Sequence, residues 1–159
     1  MTALISIISL FSIGLYVVLL IYLRIGWAKV TMPPIIADTV STKVTVLIAA
    51  RNEEEKIGLT IEDLLAQDYP KHLVEIIIVD DHSTDNTAAI ISSYAPQGVK
   101  LLKLSLGETL NSYKKKAIAE AIKLSTGDLM VATDADCRMG NQWLRNIVGF
   151  YEQNNLVMI

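Results

Sequence analysis

VTVLIAARNEEEKIGLTIEDLLAQDYP, residues 44–70, holds the transition on which the fold turns. Its first seven residues, Val44 to Ala50, form a short run, apolar but for Thr45, with β-branched side chains. An alternating run belongs to a strand with one wet face. A continuous short run belongs to a strand covered on both faces. Arg51-Asn52 ends it. From Glu54 to Gln67 the period changes: Ile57, Ile61, Leu64 and Leu65 fall on one helical face. Asp68-Tyr69-Pro70 then stops the helix, because the residue before a proline is steered away from helical backbone.

The same alternation continues outward. VEIIIVDD, residues 74–81, reads as a second buried strand. Ser83 or Thr84 is the expected cap of a helix reaching about Tyr94. VKLLKL, residues 99–104, is a third strand. Lys114 to Leu124 places Ala117, Ile118, Ala121 and Ile122 on one face, with Gly127 as the expected helix stop. DLMVAT, residues 128–133, is a fourth strand. Trp143, Leu144, Ile147, Val148 and Tyr151 mark a last helix, and LVMI, Leu156 to Ile159, opens a fifth strand. Strands alternating with helices of this length predict an α/β fold: a mainly parallel, Rossmann-like sheet with helices on both faces and right-handed crossovers.

Ligands of such sheets sit at the carboxyl ends of the strands. That rule selects three loops: Arg51-Asn52-Glu53-Glu54, Asp80-Asp81-His82-Ser83 and Asp134-Ala135-Asp136. Acids brought to one edge repel unless something positive lies between them. A divalent cation, Mg²⁺ or Mn²⁺, is the economical answer, since carboxylates are hard oxygen ligands. In extended chain, residues two apart point the same way, so Asp134 and Asp136 are placed to share one ion. Mg²⁺ ordinarily completes its shell with substrate phosphates, which makes a metal–phosphate complex the expected ligand. Asx residues also turn and cap chains before helices, and on spacing alone both readings stand. Asp80-Asp81 has the same ambiguity, between capping and accepting hydrogen bonds from a base or ribose. Lys114-Lys115-Lys116 reads mostly as solvated surface, with one lysine free to meet a phosphate.

The front of the chain differs. Thr2 to Leu23 contains no charged residue. At about 1.5 Å per residue it is about 33 Å long, enough for a hydrocarbon core of about 30 Å. A cleaved signal peptide fits poorly, because no basic segment precedes the run and the run is too long. Residues 2–23 are therefore expected to be a transmembrane helix and 24–43, with Pro33-Pro34, a juxtamembrane linker before a domain at 44–159. Arg24 and Lys29 follow the apolar run, which places the domain on the cytoplasmic side of a bacterial-type plasma membrane. The lone Cys137 agrees with a reducing compartment. A net charge of −3 supplies no basic stripe for nucleic acid. The dinucleotide G-x-G-x-x-G, the P-loop, H-E-x-x-H and C-x-x-C are all absent. VKLLKLSLGE has no aspartate where a receiver-type phospho-acceptor needs one.

VTVLIAARNEEEKI, VEIIIVDDHSTDNT and STGDLMVATDADCRMGNQWL, in this order, resemble family 2 glycosyltransferases of the GT-A fold. The membrane-anchored subgroup, with the cellulose synthase and poly-N-acetylglucosamine synthase catalytic subunits, is the most similar. The resemblance implies a nucleotide-sugar donor, usually a UDP-sugar, a divalent metal, a glycan or lipid-linked acceptor, and inverting transfer. It implies that Asp136 holds the metal and that Asp134 contacts the ribose or the metal shell. It implies that Asp81 holds the base with Asp80 beside it, that Ala50, Arg51 and Glu53 line the nucleoside pocket, and that Lys114 or Lys115 meets the donor phosphates. Tyr113 departs from the family's usual glycine before that lysine. The family's general base is an acidic residue in the second half of the domain, so it is expected beyond Ile159, as is the Q-x-x-R-W motif of processive members. Residues 44–159 are thus expected to form the donor and metal half of the domain. A membrane-tethered nucleotide-binding fragment without chemistry is the alternative.

Overall fold

The computed structural model describes residues 2–29, 40–104 and 113–154, with the side chains of Thr2, 113–116 and Asn154 outside that set. The chain divides into two compact units, residues 1–34 and 35–159. The first carries helix α1, Thr2–Ala28. Within it, Ala3–Ala28 is long and apolar enough to cross a membrane, and its large side chains from Leu4 to Trp27 are exposed. The helix runs past Leu23 through Arg24 to Ala28, because helical backbone need not stop where the apolar run does.

The second unit is a four-stranded sheet, all parallel, in the order β3-β2-β1-β4. Its strands are β1 Val44–Ala50, β2 Val74–Asp80, β3 Val99–Lys103 and β4 Leu129–Asp134. The helices are α2 Ile57–Leu65, α3 Thr87–Ser93, α4 Tyr113–Leu124 and α5 Trp143–Asn154. Every residue of β1 except Ala49 is buried, as its mainly apolar run predicts. Successive side chains separate onto the two faces. Val44, Val46 and Ile48 pack with Ile76 and Ile78 beneath Ile57, Ile61 and Leu64 of α2, Ile91 of α3, and Leu144 and Val148 of α5. Leu47 packs with Ile77 and Val79 beneath Ala117 and Ala121 of α4. Burying each of the large aliphatic side chains stabilises the fold by roughly 2 kcal/mol.

Three local expectations are corrected. Ser83 and Thr84 do not cap α3, which begins only at Thr87 with Asn86 at the N-cap position. Asp85 caps it instead, accepting from the Thr87 amide at 3.0 Å and the Thr87 hydroxyl at 2.6 Å. Second, Glu53 to Lys56 form a turn ahead of α2 rather than its first residues, closed by the Ile57 amide on the Glu53 carbonyl at 2.9 Å. Third, Gly127 does not end α4, which stops at Leu124. It is glycine because the chain passes so close to β1 that a Cβ would lie 2.5 Å from the Thr45 nitrogen. The expected fifth strand, Leu156 to Ile159, and linker residues 30–39 lie outside the described residues.

The strand order places the site. The chain steps from β1 to β2 to β3 in one direction, then returns to lay β4 on the other side of β1. The helix between β1 and β2 covers one face, and the helix between β3 and β4 covers the other. The loops leaving β1 and β4 lead to α2 and α5, which pack on the same face of the sheet, so the two loops lie side by side at its carboxyl edge.

Candidate functional site

The register brings the selected loops together. Ala50 pairs with Asp80 on one side of β1, and Ala49 pairs with Asp134 on the other. Strand spacing of about 4.8 Å puts β2 and β4 about 10 Å apart across this edge. The Asp81 amide donates to the Ala50 carbonyl at 2.8 Å, extending the pairing one residue.

Asp80 and Asp81 are each 6% exposed. Asp80 Oδ1 accepts from the Ser83 amide at 3.3 Å, and Asp81 Oδ1 lies 2.9 Å from His82 Nδ1. The β1 and β2 loops are stitched to each other. The Asn52 amide donates to Ser83 Oγ at 3.0 Å, the Thr84 amide to Asn52 Oδ1 at 2.8 Å, and the Glu53 amide to Thr87 Oγ1 at 2.8 Å. Glu54 Oε2 accepts from the Asn86 amide at 2.8 Å. Asn52 and His82 take left-handed backbone, with φ of 53° and 58°, and this stitching offsets the cost of that conformation. Burial pushes the Asp85 carboxyl up, but hydrogen bonds from the Thr87 hydroxyl, the Thr87 amide and the Glu54 amide outweigh it, leaving the group below its ordinary range. An open hollow of about 370 Å³ lies against this loop pair, lined by Asn52, Glu53, Glu54, Glu55, Lys56 and Asp85. Arg51 is exposed at its start.

On the β4 side, Asp134, Asp136 and Cys137 present carboxylate oxygens and a thiol sulfur all within 4.8 Å of one another. Asp134 and Asp136 are exposed, and Cys137 is half-buried. The expected cause of that convergence is corrected. Asp134 ends the strand, and Ala135-Asp136 is a turn rather than extended chain. A turn, not the pleat, brings the two acids to one place. The carboxylates suit a hard divalent ion, whereas the thiol is a soft donor and does not. Lys56 Nζ stands 3.5 Å from Asp136 Oδ2, with side chains 56% and 46% exposed. At that exposure the pair contributes well under about 1 kcal/mol. A contact of that strength offsets little of the repulsion along an edge carrying Asp80, Asp81, Asp134 and Asp136.

Lys114 and Lys115 fall in the first turn of α4, and their side chains lie outside the described residues. Sequence pattern did not single out Lys56, Thr60 or Thr87. Thr60 is fully buried, and its hydroxyl lies 2.7 Å from the Ala135 carbonyl and 3.0 Å from the Cys137 carbonyl. A threonine within an apolar helical stripe was the one signal for it.

Comparison with known proteins agrees with this architecture. The fold is that of GT-A glycosyltransferases: a mannosyltransferase from Pyrobaculum calidifontis, solved with GDP-Man and Mn²⁺, superposes with a TM-score of 0.69 at 28% identity, over 84% of this chain and 39% of that one. Residues 1–349 of TarS from Staphylococcus aureus, solved with UDP-GlcNAc, give 0.63 at 26% identity, over 71% of this chain and 32% of that one. The profile of glycosyl transferase family 2 matches residues 45–159, and the chain belongs to that family. A beta-monoglucosyldiacylglycerol synthase from Synechocystis is 33% identical over 123 residues, which is 75% of this chain and 26% of that protein. The chain thus spans about a quarter of the length of the glycolipid synthases it matches.

Proposed function

We propose that this chain forms the donor-binding part of a membrane-anchored enzyme that transfers a sugar, with inversion, from a UDP-sugar to a glycan or lipid acceptor. The observation that carries the reading is the convergence of the Asp134 and Asp136 carboxylates at the switch point of a parallel sheet, across β1 from the buried Asp80-Asp81 pair. The solved relatives hold GDP-Man with Mn²⁺ and UDP-GlcNAc, which supports a nucleotide-sugar donor and a divalent ion. The glycolipid-synthase relative supports a lipid acceptor, α1 supports a bilayer anchor, and Arg24 and Lys29 near its end support a cytoplasmic domain.

The residues divide the work. Asp136 holds Mg²⁺ or Mn²⁺, and Asp134 completes its shell or meets the ribose. Asp81, beside Asp80, accepts from the N–H of the base. Ala50 offers no side chain that would block the nucleoside, while Arg51 and Glu53 border it. Lys114 or Lys115, at the start of α4, meets the diphosphate. When bound, the cation neutralises charge developing on the departing nucleoside diphosphate. Calorimetry of the whole chain in detergent micelles tests this. The parent is expected to bind UDP only when Mn²⁺ is present, and Asp136→Ala to lose that binding. Equal binding by variant and parent would remove the assignment.

A further inference from the structure

The loop that carries the acidic pair is held almost residue by residue by one polar row on α2 and its flanks. Lys56, Thr60, Asp63 and Gln67 are spaced by four, three and four residues, which keeps them on one helical face. Each meets the next part of the loop. Lys56 Nζ reaches Asp136 Oδ2 at 3.5 Å. The Thr60 hydroxyl shares its proton between the carbonyls of Ala135 and Cys137, the two residues flanking Asp136. Asp63 takes a two-pronged contact from Arg138, with Nε at 2.6 Å and Nη2 at 3.0 Å, and accepts from the Met139 amide at 3.0 Å. The buried Gln67 donates through Nε2 to the Gly140 carbonyl at 2.9 Å, and its Oε1 accepts from the Leu144 amide at 2.9 Å. Residues 135 to 140 lie between β4 and α5 and form no strand or helix. Their shape is set largely by α2, which follows the β1 loop and packs on the same face of the sheet as α5.

We infer that Thr60, Asp63 and Gln67 are positioning residues for the metal-binding acids: they fix the turn on which Asp136 faces Asp134, and so couple the helix that follows β1 to the metal-binding loop that follows β4. The inference rests on the metal assignment above. A free turn would pay for ordering the two carboxylates at the moment the ion binds, whereas this one is ordered beforehand. Support of this indirect kind ordinarily changes metal affinity by about 10–100-fold.

The test compares Thr60→Val, Thr60→Ser and Thr45→Val in the whole chain in micelles. Thr45 lies at the opposite end of β1, where its hydroxyl donates to Glu75 Oε2 at 2.7 Å. Mn²⁺ affinity is read by paramagnetic resonance, and hydrogen exchange of residues 135–140 is followed in the metal-free protein. Thr60→Val should weaken Mn²⁺ binding about tenfold and speed exchange across the loop, and Thr60→Ser should restore both to within about twofold of the parent. Thr45→Val should melt earlier yet bind Mn²⁺ as the parent does. Asp63→Asn, at a half-buried position, carries the same expectation with a smaller loss of about threefold if Thr60→Val does not fold. Parental Mn²⁺ affinity in the α2 variants overturns the inference, as does an equal loss in Thr45→Val, which would mark a general stability effect. A parent that binds no Mn²⁺ overturns the donor-site reading itself, and this inference with it.

Discussion

The two ends of the sheet treat carboxylates in opposite ways. At the amino edge Glu75 is 8% exposed and collects three donors: Thr45 Oγ1 at 2.7 Å, Lys100 Nζ at 2.7 Å and the Thr126 amide at 2.8 Å. Gly127 closes the cluster by donating its amide to Thr45 Oγ1 at 2.9 Å. At the carboxyl edge, Asp80 and Asp81 are buried while Asp134 and Asp136 turn outward. Lys56 reaches the outward pair only through a long, exposed contact to Asp136. The first arrangement is complete within the chain and serves stability. The second turns two neighbouring carboxylates to solvent, as a site for a charged ligand requires.

Substitutions at the amino edge should therefore damage the fold and leave ligand binding alone. The largest effect is expected for Gly127→Ala. Its new Cβ would meet backbone atoms of Val44 and Thr45 inside 3.0 Å, and chemical denaturation should register a loss of about 3 kcal/mol. Glu75→Ala comes next, at about 2 kcal/mol, since it strips hydrogen bonds made to a charged group.

Glu75 also sets a pH dependence. Burial pushes its carboxyl up, but the hydrogen bonds from Lys100, Thr45 and the Thr126 amide outweigh this and hold it down at about 2. A depressed folded-state value means stability that is fully present above the ordinary glutamate range, near 4.5, and is lost as pH falls toward 2. Denaturant midpoints measured from about pH 6 to about pH 3 should fall more steeply for the parent than for Glu75→Gln. Parallel slopes would show that the cluster contributes nothing of this kind. The smallest effect belongs to the other edge. Lys56→Ala should change stability by less than about 0.5 kcal/mol, because its pair with Asp136 is exposed and long.

Much of this was legible in the sequence because burial on both faces leaves a plain trace. Val44–Ala50 could be neither an alternating surface strand nor a full-length helix, and the structure puts β1 on those residues. The acids were found from a topological rule, since ligands gather where parallel strands finish. What the sequence concealed depends on backbone geometry rather than composition. Any of Ser83, Thr84 and Asp85 has the chemistry to cap α3, and only the path of the loop selects Asp85. Gly127 looks like an ordinary helix stop until β1 is seen lying against it. Lys56, Asp63 and Gln67 read as the wet side of an amphipathic helix, and Thr60 as a lone hydroxyl in its apolar stripe, because their partners lie more than seventy residues further on.

The contrast between the edges is tested most directly by melting the chain in micelles, with and without Mn²⁺ and UDP, for the parent and Asp136→Asn. In EDTA the variant should melt at the parent's temperature or slightly above it, because a repelling charge has been removed. With Mn²⁺ and UDP at about a hundred times their dissociation constant, the parent should gain about 2.7 kcal/mol and the variant far less. A variant that melts well below the parent in EDTA, yet gains as much from metal and nucleotide, would show Asp136 to be a structural acid like Glu75.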